Sequence, residues 1–162
     1  MKADALTPRQ LFDGKMHYEI PSFQRPYVWN EEDQWAPLWE DILRVAVSYL
    51  PSESGAAVDP ERHFLGAIVY ESRPPVVGDV TRHLVIDGQQ RTTTLQLVID
   101  AVQSAIAERG HETLAEDLED LALNKSAAFR GKPERFKLWP SRQARAAFEQ
   151  AMGGTHPSAG AR

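Results

Sequence analysis

The sequence predicts an α+β fold. Short apolar runs of strand length alternate with segments of helical periodicity, and two of the runs lie close enough to form a hairpin. No internal repeat or coiled-coil heptad is present, and the antiparallel pair argues against a regular doubly wound sheet.

Composition sets the limits of what the chain can be. With 162 residues, 42% of them hydrophobic and 25% charged, it is long enough for one domain with a buried core. The absence of cysteine excludes disulfides, zinc–thiolate sites, iron–sulfur clusters and a cysteine nucleophile. No apolar run approaches the roughly 20 residues of a membrane span, and the first residues lack a signal-peptide core, so no membrane partner and a cytoplasmic location are expected. A formal net charge of −5 repels a phosphate backbone, so any nucleic-acid contact needs a local basic patch.

Taken in order, Thr7-Pro8-Arg9-Gln10 has the form of a capping box with proline at the first helical position, predicting a short helix that ends near Gly14. Residues 16–20 read as a strand stopped by Pro21. Asn30, followed by Glu31, Glu32 and Asp33, suits a helix N-terminus, and Trp35, Leu38, Trp39, Ile42 and Val45 recur at helical spacing. Residues 51–61 read as a mobile surface connection. The run 63–70 suits a buried central strand, with Gly66 suggesting a close backbone approach. Residues 81–86 complete the hairpin. Leu95, Val98, Ile99, Val102 and Ile106 mark one face of a long helix ending at Gly110. A polar helix over 112–123, a basic loop, a short strand at 136–139, a last helix over 141–152 and a disordered tail over 153–162 follow.

The densest chemistry lies at Asp87-Gly88-Gln89-Gln90-Arg91-Thr92-Thr93, where an apolar strand turns into the long helix. Gly88 permits a sharp turn, and the amides of a helix start bind anions without a basic surface. Arg91 can bond phosphate oxygens bidentately, the threonine hydroxyls can contact phosphate or metal, and Asp87 can hold magnesium or orient water. The spacing is not that of a Walker loop. Read alone, Asp87-Gly88 is equally a tight turn with solvated neighbours.

A second constellation, Gln24-Arg25-Pro26-Tyr27-Val28-Trp29, puts a carboxamide, a cation and aromatics on a proline-bounded loop. Base stacking is one reading of it; in the other, Phe23, Tyr27 and Trp29 plug a core edge. Arg130, Lys132, Arg135 and Lys137 form a basic stretch that reads as a solvated loop. The histidines His17, His63, His83, His111 and His156 have no metal-ligand spacing.

Three ordered motifs, Ile20-Pro21-Ser22-Phe23-Gln24-Arg25-Pro26-Tyr27-Val28-Trp29, Phe64-Leu65-Gly66 and Asp87-Gly88-Gln89-Gln90-Arg91-Thr92-Thr93-Thr94-Leu95, together resemble the N-terminal domain of GmrSD-type modification-dependent restriction systems. Phe136-Lys137-Leu138-Trp139-Pro140 and Phe148 extend the resemblance over about residues 6–152. The resemblance implies a ParB/sulfiredoxin-like fold, a small mixed sheet flanked by helices, with residues 1–152 as a nucleotide-binding domain and 153–162 as the start of a further region.

It also implies a nucleoside triphosphate and magnesium as cofactors, and a role in defence against phage DNA alongside a nuclease domain or subunit. Carried over residue by residue, the implied nucleotide-binding residues are Gln24, Arg25, Gly88, Gln89, Gln90, Arg91, Thr92 and Thr93. Asp87, Gln90 and Arg91 are the implied catalytic residues, with Asp87 on magnesium. These 162 residues hold no histidine-rich nuclease motif, so cleavage is not assigned to them, and sulfiredoxin chemistry lacks its cysteine. Two other readings stay open: a non-enzymatic module reading plain or modified DNA through Arg25, Arg91 and the aromatic loop, and a scaffold that needs a further domain.

Overall fold

A computed structural model describes residues 4–50, 62–74 and 76–153. The expected connection over 51–61 and the expected tail beyond Gly153 lie outside the described residues. The chain divides into two compact units, one comprising Met1–Pro26 and Ala67–Arg162, the other Tyr27–Gly66.

In the first unit, Pro8–Phe12 forms α1, and its N-terminus carries both bonds of the expected capping box. Gln10 N donates to Thr7 Oγ1 at 3.2 Å and Thr7 N to Gln10 Oε1 at 2.9 Å. The chain then runs into β1 (Met16–Glu19). After the second unit it returns as the hairpin β2 (Val69–Ser72) and β3 (Thr81–Asp87), and β3 passes directly into α3 (Gln89–Ala107). Next come α4 (Glu112–Ala122), two single 3₁₀ turns, β4 (Leu138–Trp139) and α5 (Arg145–Met152).

The sheet has the order β2-β3-β1-β4. Strand β1 pairs in parallel with β3 and β4, while β2 pairs antiparallel with β3, so the sheet is mixed, as expected of an α+β fold. The register matters for the site. The last paired residue of β1, Glu19, sits opposite Leu84, and β3 continues to Asp87. The loops leaving β1 and β3 therefore emerge side by side at the carboxyl ends of adjacent parallel strands, the usual location of ligand sites in open sheets of this kind.

Phe12, Tyr18, Val85 and Leu138 are fully or almost fully buried and form the centre of the core. Tyr18 stacks on His83 with ring centroids 4.8 Å apart and donates its hydroxyl to Leu11 O at 2.8 Å. His17 is buried too, its Nδ1 2.8 Å from Phe136 O. Both rings lie within the core of the first unit.

Three expectations need correction. The run 63–70 is not a buried central strand: only its end pairs, as the edge strand β2, and Phe64 is 83% exposed. An apolar run alone does not distinguish burial in a sheet from an exposed connection. Lys137 is no part of a solvated basic loop. It is buried beside Asp13 and Asp120, its Nζ donates to Gly14 O, and burial pushes its ammonium below the ordinary lysine value. Finally, α3 does not bury the face that its aliphatic spacing marks. Leu95 is buried, but Val98, Ile99 and Val102 are half-exposed, whereas Gln96 and Asp100 are buried.

In the second unit, Asn30 caps a π-helical turn (Glu31–Trp35) by accepting from Asp33 N at 2.9 Å, and the turn leads into α2 (Ala36–Ser48). The helix expected here is present, with Trp35 and Trp39 exposed and Leu38, Ile42 and Val45 half-buried. Among the described residues no helix is long and apolar enough to cross a membrane.

Burial holds the imidazoles of His17 and His83 below their ordinary value. The unfolded chain therefore binds more protons than the folded one once the pH falls below about 6.5, and stability that is complete above that pH declines beneath it. Asp79 and Glu134, held low by Arg82 among other contacts, lose their contribution only in a more acidic range. The melting temperature is expected to fall between pH 7 and pH 5, and the His17→Gln variant to show a shallower fall over that interval in a calorimetric pH series.

Candidate functional site

The site is built where β3 outruns β1. Past Leu84 the strand shows no further pairing on the β1 side, and its carbonyls are left to other donors. The loop leaving β1 supplies one: Gln24 Nε2 donates to Ile86 O at 3.1 Å. The α3 side returns the interaction, as Gln90 Nε2 donates to Pro26 O at 3.1 Å. These two carboxamides, 66 positions apart in the sequence, tie the first motif to the last through backbone atoms.

Gly88 is the junction. It adopts φ 87° and ψ 15°, a left-handed conformation costly for a residue with a side chain, and forms the N-cap of α3. A Cβ at this position would lie 2.9 Å from Ala67 O and 3.1 Å from Ile68 Cα. The segment leading into β2 thus passes closely over the turn at Gly88. Arg91 fastens the same segment by donating from Nη1 to Ala67 O.

At the start of α3, Thr92 N donates to Gly88 O at 2.9 Å, and no side chain caps the amides ahead of it. Gln89, the first residue of the helix, is only 7% exposed. The threonines are placed differently. Thr92, Thr93 and Thr94 are buried, and their hydroxyls donate to Gly88 O, Gln89 O and Gln90 O at 2.9, 2.8 and 2.9 Å. Such bonds to the preceding turn occupy the hydroxyl proton within the helix.

Asp87 and Arg25 are exposed. Among the described residues no group of three histidine, aspartate or glutamate side chains is placed to hold a metal ion. Phe23 is not in the core, against the plugging reading. It is 81% exposed. Tyr27 and Trp29 belong to the second unit, where the Tyr27 hydroxyl accepts from Trp35 Nε1 at 2.7 Å.

The sequence-predicted residues Gln24, Gly88, Gln90 and Arg91 are therefore brought together by hydrogen bonds and close packing within one unit. Sequence reasoning missed their partners, the carbonyls of Pro26, Ala67 and Ile86, because a carbonyl leaves no trace in residue type.

A family model described as the GmrSD restriction endonuclease, N-terminal domain, matches residues 9–159. The chain belongs to this family. The match covers all three motifs and the Phe136–Trp139 region, and it makes the chain a component of a restriction system. A comparison with curated proteins finds no match. Within this GmrSD-type domain, Gly88 combines a left-handed backbone with a neighbour that leaves no room for a methyl group.

Gly88→Ala is expected to destabilise the fold by about 1–3 kcal/mol from the backbone alone, with the approach to Ala67 O adding to that. Urea unfolding of the two proteins measures the difference, and a change below about 0.5 kcal/mol contradicts this account. Gln24→Ala, which leaves the exposed Ile86 carbonyl to water, is expected to cost about 0.5–1.5 kcal/mol in the same assay.

Proposed function

We propose that this GmrSD-type domain binds a nucleoside triphosphate with its phosphates at the N-terminus of α3, hydrolyses it, and thereby regulates a nuclease partner acting on DNA. The observation that carries the reading is the helix start itself. It is a 19-residue helix with no side-chain cap, carrying the macrodipole's positive end, with Gln89 in its first turn and exposed Arg25 on the adjoining loop.

A small anion fits this arrangement better than a duplex. The chain's net charge is −5, so a long phosphate backbone meets overall repulsion, whereas a triphosphate needs only a local cluster of donors. The amides of 89–91, Gln89, Arg25 and the free N–H groups of the Arg91 guanidinium form the proposed contact set. Gln24, Gly88 and Gln90 shape the site through the bonds that hold its segments together. Thr92 and Thr93, expected as ligands, face inward in this proposal and stabilise the first turn.

Asp87 is the proposed magnesium ligand. A lone exposed carboxylate suits an ion that completes its shell with phosphate oxygens and water, which is how magnesium is usually held, and the ion would neutralise charge on the phosphates. In hydrolysis, water attacks the γ-phosphorus as the bond to the bridging oxygen breaks, releasing diphosphate nucleotide and inorganic phosphate. The Asp87 carboxylate can accept a hydrogen bond from that water and so orient it.

Each of the four ribonucleoside triphosphates with magnesium is to be tested for its effect on the melting temperature. At least one is expected to raise it, as any ligand selective for the folded state must. Arg25→Ala should weaken that ligand about 10- to 100-fold, the usual worth of a charge-assisted hydrogen bond, without changing the unliganded melting temperature. Asp87→Asn should suppress phosphate release more than binding. No stabilisation by any triphosphate sinks the proposal, and if fluorescence polarisation then shows salt-dependent binding of DNA, the DNA-reading module takes its place.

A further inference from the structure

Phe23 stands out among the side chains around the site. Its neighbours on both sides are held: Ile20 and Pro21 are buried, Gln24 N donates to Pro21 O at 3.1 Å, Gln24 Nε2 reaches Ile86 O, and Pro26 O receives Gln90. Yet the ring at the tip of this turn is 81% exposed. Isolated exposed apolar residues are common on proteins. This one is on backbone tethered at several points, so its exposure is built into the turn.

The tethers also fix where the turn lies. Phe23 directly precedes Gln24, whose side chain bonds the carbonyl of Ile86, itself 45% exposed. From Ile86 to Gln89 the chain spans at most about 10 Å. An exposed aromatic ring is thus carried on a loop that is bonded to β3 through Gln24 and to the first turn of α3 through Gln90 and Pro26 O, with a cation, Arg25, two residues along the chain. An apolar face with a few charged groups beside it is the chemistry that recognises a nucleoside carrying phosphate. A rigid ring that loses little freedom on binding is suited to it.

Resting on the nucleotide reading above, we infer that Phe23 is the base-stacking residue of this site, so that the site recognises nucleotides in preference to inorganic polyphosphate. Because every base has a π-face, the ring confers selectivity for a nucleoside without dictating which base.

The test compares the best-stabilising triphosphate with inorganic tripolyphosphate, both with magnesium, on the full chain. Unaltered protein is expected to bind the nucleotide about 5- to 100-fold more tightly than tripolyphosphate, the range that base–aromatic stacking supplies. Phe23→Ala should bring the nucleotide down to the tripolyphosphate level and leave tripolyphosphate unchanged, and Phe23→Tyr should restore it. In Phe23→Trp, the nucleotide should quench tryptophan emission beyond the change in unaltered protein, and tripolyphosphate should not.

A Phe23→Ala variant that binds the nucleotide as tightly as unaltered protein, or that weakens both ligands equally, overturns the inference while leaving the phosphate site standing. If tripolyphosphate and nucleotide both fail to bind unaltered protein, the site reading falls and takes this inference with it.

Discussion

The arrangement at the carboxyl edge of the sheet follows from a difference in strand length. Strand β3 runs three residues past the point where β1 stops pairing, and the backbone it exposes there needs hydrogen-bond partners. Strand β2 covers one side, with a register shift between Val69 and Tyr70 that fits the twist near the turn. On the other side no strand is available, so the Gln24 carboxamide acts in its place. Gln90 and Arg91 do the same in the opposite sense, donating from α3 to the loop after β1 and to the segment before β2. A cluster of carboxamide and guanidinium side chains is thus suited to splice three chain segments where no regular ladder can, since each reaches a carbonyl that a backbone amide cannot.

Gly88 makes this splice possible, and a side chain would spoil it twice over. A left-handed turn lets β3 end and α3 begin within a single residue, and the missing Cβ lets Ala67 and Ile68 pack across the turn. The same geometry leaves the α3 amides without a capping side chain, because glycine has none to offer. A residue chosen for packing therefore produces an anion-seeking helix start as a by-product.

Much of this was legible in the sequence, and the failures have physical causes. The capping box at Thr7, the hairpin, and the strand-to-helix change at Asp87-Gly88 were readable because each depends on local residue chemistry over a few positions. The edge position of β2 was not, because the apolar residues at 64–70 look alike whether they sit in a sheet or ahead of one. Lys137 was misread because a charged type says nothing of a carbonyl, that of Gly14, waiting 123 residues away. Gln24, grouped with the last motif on resemblance, does bond the strand that leads into it, but its spacing alone could not tell a clasp from a ligand contact.

The polar interior of α3 bears on how firmly its N-terminus is held. A helix that buries only aliphatic side chains is held by close packing, without directional bonds across its buried face. Helix α3 instead buries Gln96 and Thr92 completely, and Gln96 Nε2 donates to Leu121 O at 3.0 Å at the end of α4. A hydrogen bond in a dry interior holds both distance and direction, and breaking it leaves a costly unpaired group. The Gln96 Oε1 atom, buried with no partner, shows that the register is kept even where one acceptor goes unsatisfied. Such a helix is fixed along its axis as well as around it. That is the requirement for presenting the amides at 89–91, the Gln90 carboxamide and the Arg91 guanidinium at constant positions relative to the loop they clasp.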